Sequence, residues 1–402
     1  MSLPDLTNFP VRVFCFLVVL MLPLAVYAKK GEVILLGLGA LVLLVLAAKD
    51  GLLKPLFRKP VPLVLVLILV WSAASTFWAI QMRDAWDTWT SITLLFVGIV
   101  VTLGMVQKLS SEQINKVAWW AVYGLWAALA LLAIELLLDM PLARIFRSYP
   151  GGLPYVPQTI FNASLGMAAI IVWPSVTFLW QQQKRIAAVL TIVVAFIVMF
   201  LGEGDSAKLA LVVATVLFGL AFIAGSVGST ILAAVFTIGI LVAPVLPLQV
   251  ISTAQMEARM PDLKQSAMHR IKVWEFTAER IAEKPFTGWG LDSSRNIPGG
   301  NKIIVNSETY MPLHPHNGVL QMWLELGAPG AALLTTLILI CLMGMKRLGR
   351  LNRAGATAAL MGAMTVYCLS FGIWQNWWIA TLGLMALVTL VQTRDQARNE
   401  EI

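Results

Sequence analysis

Long apolar runs separated by short polar segments follow one another along almost the whole chain. Twelve of these runs approach the roughly 20 residues that a helix needs to cross the hydrocarbon layer of a bilayer. No water is available in that layer to satisfy exposed backbone groups, so helices are the expected form. The pattern predicts an all-α polytopic membrane bundle with spans at 11–28, 31–49, 61–80, 89–107, 114–137, 161–181, 186–203, 207–226, 229–249, 330–346, 355–373 and 376–393.

One long hydrophilic segment, 251–313, interrupts the pattern between the ninth and tenth predicted spans. Together with the residues that follow it, up to His316, this segment holds all three histidines of the chain. The sequence therefore divides into nine spans over 1–250, a polar loop with a short helix over 251–329, and three spans with a tail over 330–402.

The loop contains a predicted amphipathic helix. Apolar residues recur at 271, 274, 278 and 281 with polar residues on the opposite face, which is typical of a helix that rests against the membrane or the bundle. Pro285 ends this helix, and a glycine-containing turn follows it. Residues 291–313 are rich in Ser, Asn, Gly and Pro, which fits either an ordered loop or a mobile lid.

A second short helix is predicted after the loop. Asn317 is a favourable N-cap, apolar residues at helical spacing follow it, and Gly327 ends the helix. About ten residues at ~1.5 Å each reach about 15 Å, half the thickness of the hydrocarbon layer. This half-helix is too short to cross the membrane. Its N-terminus, which favours an anion, lies beside His314 and His316.

Composition supports the membrane assignment, because 59% of the residues are hydrophobic and 12% are charged, with a mean hydropathy of +0.81. The segment up to Ala28 could also be a cleaved secretion signal, but retaining it gives an even number of spans with both termini on one face. Lys and Arg are in excess in the short loops of that face, which predicts that it is cytoplasmic and that 251–313 lies outside. Lys29 and Lys30 are the exception to this rule.

The formal net charge of +8 is therefore explained mainly by the Lys and Arg residues of the predicted cytoplasmic loops. The sequence predicts no nucleic-acid partner, because no basic stretch in a soluble segment is interleaved with aromatic residues. Cys15, Cys341 and Cys368 lie inside apolar spans, as buried thiols do, and argue for neither a disulfide framework nor a metal site.

Histidine is the first candidate for chemistry, because imidazole titrates near neutrality and can accept a proton from an attacking hydroxyl. His316 is the favoured general base, with His314 in reserve. Three alternatives stay open. In the first, the histidine caps the half-helix and has no chemical role. In the second, the two histidines bind zinc, although no further ligand is suitably spaced. In the third, a histidine belongs to a Ser-His-Asp triad, although the usual nucleophile elbow is missing.

Basic residues are sparse on the predicted outer face away from the long loop. Fixed cations beside a low-dielectric region bind phosphate well, whereas their alternative role is to anchor a helix at the membrane interface. The residues concerned are Lys29, Lys30, Arg83, Arg144, Arg147 and Lys208.

Two short blocks of sequence form a recognisable pattern. One is a histidine and a small polar residue followed after nine residues by a Gly-x-x-Gly pair, and the other is an upstream arginine and tryptophan followed by a Pro-x-x-Gly-x-Gly turn. The residues are His316, Asn317, Gly327 and Gly330 in the first block, and Arg270, Trp274, Pro285, Gly288 and Gly290 in the second. In this pattern the chain resembles the O-antigen ligases and the related O-antigen polymerases and O-linked oligosaccharyltransferases.

This resemblance implies a GT-C-like fold and an inverting, metal-independent glycosyl transfer without a cofactor, on the periplasmic side of the bacterial inner membrane. The implied donor is a glycan on undecaprenyl pyrophosphate, and the implied acceptor is a sugar hydroxyl of the lipid A core. The roles that it implies are a base at His316, cations for the pyrophosphate at Arg270, Arg147, Arg83 and Lys208, and supporting residues at His314, Asn317, Gly327 and Gly330.

One departure from the family pattern concerns a phosphate ligand. Such proteins often carry Ser-Arg at the start of a middle span, where residues 205–208 of this chain read Asp-Ser-Ala-Lys. Lys208 is the candidate replacement, although an ammonium group cannot make the bidentate phosphate contact of an arginine.

The resemblance leaves several functions open. The polymerase and the oligosaccharyltransferase differ from the ligase only in their acceptor, and the His-Asn pair with its nine-residue spacing favours the ligase. A lipid-linked sugar transporter is the main rival from another class, because twelve spans is a common transporter count. It predicts two similar halves, a long central connection and polar sites within spans, none of which is visible. A receptor or scaffold without chemistry is the last alternative.

Overall fold

The structure is a computed structural model, and it describes residues 9–146, 157–305 and 308–394. Over these residues it is a bundle of sixteen α-helices with one two-stranded antiparallel ribbon, β1 (Ile303–Val305) and β2 (Glu308–Thr309). The helices are α1 (Phe9–Ala28), α2 (Gly31–Lys49), α3 (Leu53–Phe57), α4 (Pro60–Ser75), α5 (Met82–Met105), α6 (Ser111–Leu137), α7 (Pro141–Phe146), α8 (Asn162–Gln181), α9 (Arg185–Leu201), α10 (Asp205–Val242), α11 (Leu246–Gln249), α12 (Thr253–Arg259), α13 (Gln265–Glu283), α14 (Gly318–Met345), α15 (Arg350–Leu369) and α16 (Asn376–Gln392).

Each of the twelve predicted spans corresponds to a helical segment, and the predicted all-α polytopic fold is confirmed. Eight helices in the described part of the chain are long and apolar enough to cross a membrane, and α9 and α16 are shorter apolar helices. Of these eight, the segment through α8 is the most enclosed, with 94% of its apolar window buried. The helices that pack around α8 are α1, α6, α9, α10, α15 and α16.

The longest helix, α10, contains two of the predicted spans. Its 38 residues would reach about 57 Å if straight, almost twice the ~30 Å hydrocarbon layer. Gly225 breaks the helix with φ 62°, a left-handed conformation that glycine adopts readily. Near one terminus the Ser370 hydroxyl donates to Ser206 at 2.7 Å, and near the other the Trp323 indole donates to the Ile240 carbonyl at 2.8 Å. Both contacts lie where α14 begins, so the two halves of α10 run in opposite directions.

Two predicted boundaries are wrong by seven residues each, the largest differences among the spans. The ninth span does not reach residue 249, because α10 ends at Val242 and Pro247 lies in the separate short helix α11. The fourth span does not begin at residue 89, because α5 already starts at Met82. The apolar pattern marks only the part of a helix that faces lipid or core, and the polar first turns of α5 carry no such signal.

Helix α1 is an integral part of the bundle. Phe14 and Leu17 are fully buried. A Cβ atom on Gly124 of α6 would lie 2.7 Å from the Val19 carbonyl oxygen of α1, so the two backbones are in close contact. This packing supports the prediction that the first apolar segment is a span.

The long polar segment folds over one end of the bundle, which we call the site end. Phe276 of α13 belongs to the same apolar cluster as Leu324 of α14, so α13 rests against the bundle. Leu291 and Ile297 are buried as well. The loop after α13 therefore packs against the bundle through these two side chains.

Candidate active site

The half-helix predicted from the sequence is the first part of α14. Asn317 caps it, since its side-chain oxygen accepts hydrogen bonds from the backbone N–H groups of Val319 and Leu320, both at 3.1 Å. The helix breaks at Gly327 with φ 63° and ψ −160°, a combination almost confined to glycine. Both predicted boundaries are confirmed. Because Asn317 supplies the cap, the interpretation of a neighbouring histidine as the capping residue is wrong.

The Pro-x-x-Gly-x-Gly turn after α13 closes the broken end of the half-helix. The N–H of Trp289 donates to the Leu324 carbonyl at 2.8 Å, and the N–H of Gly290 donates to the Glu325 carbonyl at 2.9 Å. A Cβ atom on Gly327 would overlap the backbone of this turn. The two sequence blocks that carry the family resemblance are therefore in direct contact.

Gly327→Ala should destabilise the folded protein by about 1–3 kcal/mol, because alanine is strained in this backbone conformation and its methyl group would meet the turn. Thermal unfolding of the detergent-solubilised protein measures the loss. Gly37→Ala is the matched control, since Gly37 lies in α2 with no atom within 4 Å of its Cβ position. That variant should unfold at or above the wild-type midpoint. Equal midpoints for the two variants would contradict the assigned geometry.

A buried carboxylate, Glu325, ties the half-helix to its surroundings. It accepts hydrogen bonds from Asp292 N at 2.6 Å, Ser294 N at 3.3 Å, the Ser294 hydroxyl, Gln321 Nε2 at 3.0 Å and Trp374 Nε1 at 2.6 Å. Glu325 was not predicted as a site residue, because the half-helix is recognised in the sequence by its apolar face. An acidic residue within an otherwise apolar helix was the signal that could have identified it.

The backbone of His316 adopts an uncommon conformation. Its φ of 52° lies in the left-handed region, which non-glycine residues enter mainly where surrounding contacts hold them. Its N–H donates to His314 Nδ1 at 3.2 Å, and the carbonyl of Pro315 accepts a hydrogen bond from Trp274 Nε1 at 2.9 Å. The rings of His314 and His316 meet edge to face with centroids 4.4 Å apart. His314 and Trp274 thus hold this short segment in place.

The side chain of His316 has a defined tautomer. Its Nδ1 lies 2.7 Å from the Ser370 carbonyl oxygen. A carbonyl can only accept, so Nδ1 carries the hydrogen and Nε2 presents a lone pair. The sequence could not have identified Ser370 from this contact, because the contact uses a backbone carbonyl that every residue possesses.

Both histidines favour the neutral form. Burial, together with the charges of His316 and Arg295, lowers the pKa of His314 to about 3. Burial also lowers the pKa of His316; the Ser370 carbonyl opposes this shift, while the Arg270 and His269 charges reinforce it. A neutral ring with a free Nε2 lone pair is able to accept a proton.

Arg270 is the predicted cation whose charge acts on His316. Burial lowers the pKa of its guanidinium, and the Asp205 carboxylate opposes that shift. Its positive charge in turn depresses the pKa of His316. Among the described residues the guanidinium has no hydrogen bond or ion pair, so its donors are available to an anion.

The segment 205–208 also lies at the site. Lys208 is 3.8 Å from the Asp205 carboxylate, which is paired at 3.0 Å with Lys264 as well. The hydroxyl of Ser206 bonds that of Ser370, the residue whose carbonyl orients His316. The structure thus places Lys208 at the same end of the bundle as His316, next to a carboxylate that partly neutralises it.

The remaining predicted cations differ in where they lie relative to His316. Arg83 is exposed at the start of α5, and over the described ranges no contact joins it to either histidine. Arg147 lies outside the described residues. Lys29, at the turn between α1 and α2, lies over the rings of Trp377 at 4.6 Å and Phe371 at 5.9 Å. Phe371 follows Ser370, so Lys29 belongs to the site end of the bundle.

Metal ligands are not clustered in the part of the chain that the structure describes. No group of three or more His, Cys, Asp or Glu side chains within it is arranged to hold a metal ion. The three cysteines are free. That the reaction needs no metal stays a prediction.

The fold and this site together define a multi-pass membrane protein with a neutral histidine and several cations at one end of its bundle. The family model described as O-antigen ligase matches residues 190–335, which include Lys208, Arg270 and His316. A Rickettsia conorii protein provisionally named a polysaccharide ligase is 27% identical over 331 residues, covering 81% of this chain and 78% of that protein. A protein of Rickettsia typhi with the same provisional description is 25% identical over 334 residues, with the same two coverages. These matches confirm the resemblance to the O-antigen ligase family.

Proposed function

We propose that this protein is an O-antigen ligase that transfers a glycan from undecaprenyl pyrophosphate to a sugar hydroxyl of the lipid A core. The observation that carries the proposal is the free Nε2 lone pair of a neutral His316 in the electrostatic field of Arg270. The match of residues 190–335 to the O-antigen ligases supports the same class of reaction.

In the proposed step the acceptor hydroxyl attacks the anomeric carbon while the bond from that carbon to the pyrophosphate oxygen breaks, with inversion. The hydroxyl proton passes to Nε2 of His316, and the departing pyrophosphate takes the electron pair. The Ser370 carbonyl stabilises the resulting imidazolium through its bond to Nδ1–H. Proton, electron pair and leaving group are thereby accounted for.

The leaving group requires positive charge. The pyrophosphate gains negative charge as the glycosidic bond breaks, and fixed cations in a low-dielectric site stabilise that change most. Arg270 is the first candidate, because its guanidinium is half-buried and its donors are available. Lys208 acts as a point charge at the same end of the bundle, and Arg83 and Arg147 are proposed to contribute further positive charge.

The proposed orientation places the site at the periplasmic face of the bacterial inner membrane. The other end of the bundle carries Lys59, Arg347, Arg350 and Arg353 at the ends of α4, α14 and α15. Basic residues are retained preferentially on the cytoplasmic side, which supports this orientation.

Glycan transfer should proceed equally well in EDTA, because Arg270 and its neighbours supply the charge that a metal would otherwise provide. Purified protein, carrier-linked glycan and lipid A core are incubated with and without chelator, and the product is scored by mass and anomeric configuration. A strict requirement for added Mg²⁺ or Mn²⁺ would contradict the proposed metal-independent mechanism. Longer carrier-linked glycan, in place of modified lipid A core, would identify a polymerase instead.

In the pH profile of kcat/KM, the midpoint of the acidic limb should lie below ~6.5, the pKa of an ordinary histidine. The reason is that burial and neighbouring positive charges lower the pKa of His316. The base is active when neutral, so activity is present above this pKa and is lost as the pH falls through it. Arg270→Gln removes a positive charge that lowers the pKa, so the limb should move to higher pH. Lys302→Gln, which removes an exposed charge, should leave it in place. An unmoved limb in Arg270→Gln would contradict this electrostatic coupling.

A further inference from the structure

A cavity lies at the end of the bundle opposite the histidines. It has a volume of about 670 Å³ and opens between the ends of α4, α5, α14 and α16. We call it the opposite-end groove. Its walls are almost entirely aliphatic, and they include Leu56, Leu65, Leu103, Leu339, Met343 and Leu390.

The groove is separate from the candidate active site. Residues 328–345 of α14 rise about 27 Å from the break at Gly327, close to the ~30 Å thickness of the hydrocarbon layer. The groove uses the last turns of this segment, from Leu339 onward. It therefore lies at the other membrane boundary and contributes nothing to the histidine site.

Two cations stand at the mouth of the groove. Lys59 and Arg347 both line it, and both are exposed. The Lys59 ammonium donates to the neutral side chain of Gln107 at 2.9 Å, and over the described residues no carboxylate pairs with it. Positive charge above an aliphatic slot matches the shape of a lipid whose phosphate lies directly above its acyl chains.

We propose that the opposite-end groove binds an anionic glycerophospholipid of the adjoining leaflet, with an acyl chain between α4, α5 and α14 and the phosphate between Lys59 and Arg347. Basic pockets between spanning helices bind such head groups through charge and through hydrogen bonds to phosphate oxygens. The volume lies within the range of small-molecule pockets. This site is independent of the proposed glycan transfer.

Gly344 offers a way to close the groove. It lines the cavity, and a Cβ atom on it would meet no atom within 4 Å. Gly344→Leu therefore adds an aliphatic side chain at the wall of the groove, from a Cβ position with open surroundings. Gly37→Leu is the matched control, because Gly37 has the same open surroundings in α2 but does not line the groove.

The experiment is native mass spectrometry of the delipidated full-length protein, titrated with phosphatidylglycerol or with phosphatidylcholine of the same chains. Wild type and Gly37→Leu should bind one molecule of phosphatidylglycerol more tightly than they bind phosphatidylcholine. Gly344→Leu should lose this tight binding of the first phosphatidylglycerol molecule. Lys59→Gln combined with Arg347→Gln should weaken phosphatidylglycerol binding by about 30-fold. Lys54→Gln combined with Arg58→Gln, which removes two exposed charges outside the groove, should leave it unchanged.

Equal binding of the two lipids by the wild type, or unaltered binding by Gly344→Leu, would overturn the proposal. If Gly344→Leu does not fold, the double substitution of the exposed Lys59 and Arg347 tests the proposal by itself. Unchanged phosphatidylglycerol binding in that variant would then overturn it. Undecaprenyl phosphate serves as the third probe. If Gly344→Leu abolishes its binding and leaves phosphatidylglycerol binding intact, the groove holds a polyprenyl tail and the phospholipid assignment is wrong.

Discussion

His316→Ala should fold and insert normally but lose glycan transfer by roughly 10²–10⁴-fold, the usual contribution of a positioned general base. The reason is the lone pair on Nε2, which faces the site while Nδ1 is occupied by the Ser370 carbonyl. His316→Asn is the second variant, because asparagine tolerates the left-handed φ of 52° and cannot act as a base. Both variants should show the same loss in the reconstituted assay.

The matched control is His269→Ala. This other loop histidine bonds the Thr309 carbonyl at 3.0 Å, so its removal should leave most of the transfer activity. Near-normal turnover in both His316 variants, with unchanged thermal midpoints, would show that another group accepts the proton.

Glu325→Ala should cause the largest loss of stability among single substitutions at the site end, on the order of 3 kcal/mol or more. Each buried donor that loses its acceptor costs about 1–3 kcal/mol, and this carboxylate is the acceptor for donors from Asp292, Ser294, Gln321 and Trp374. The thermal midpoint in detergent measures the effect. Glu325→Gln keeps one acceptor oxygen and should fall between alanine and wild type.

Glu279→Ala is the control for this prediction. Glu279 is an exposed acidic residue of α13, so its loss should change stability by no more than about 0.5 kcal/mol. A Glu325→Ala protein as stable as this control would mean that the buried hydrogen bonds do not hold the half-helix.

Much of the fold could be predicted because a bilayer restricts the possible forms so strongly. Apolar length alone located the spans, and Asn317 and Gly327 located the half-helix, since capping and left-handed backbone have narrow residue preferences. The pattern placed a reversal between the eighth and ninth spans, but it could not show that α10 turns there at the single residue Gly225 rather than through a loop. It also extended the ninth span too far, past the end of α10 at Val242.

The site was predictable only where a side chain itself makes the contact. His316, His314 and Asn317 lie together at the tip of the half-helix, and Lys208 reaches the same end of the bundle. The roles assigned to these residues stay predictions. Contacts made through backbone groups, such as the Ser370 carbonyl, leave no trace in residue type, and the partners of Glu325 are scattered too far along the chain to form a local pattern.

The buried carboxylate of Glu325 also restricts how a substrate with a bulky lipid tail could reach the histidine. It fastens the loop at Asp292, the half-helix at Gln321 and the segment before α16 at Trp374. Parting any two of these would leave buried hydrogen-bonding groups without partners, which is costly. The lipid tail must therefore enter from the bilayer between other helices. The elements joined by Glu325 stay together while it does so.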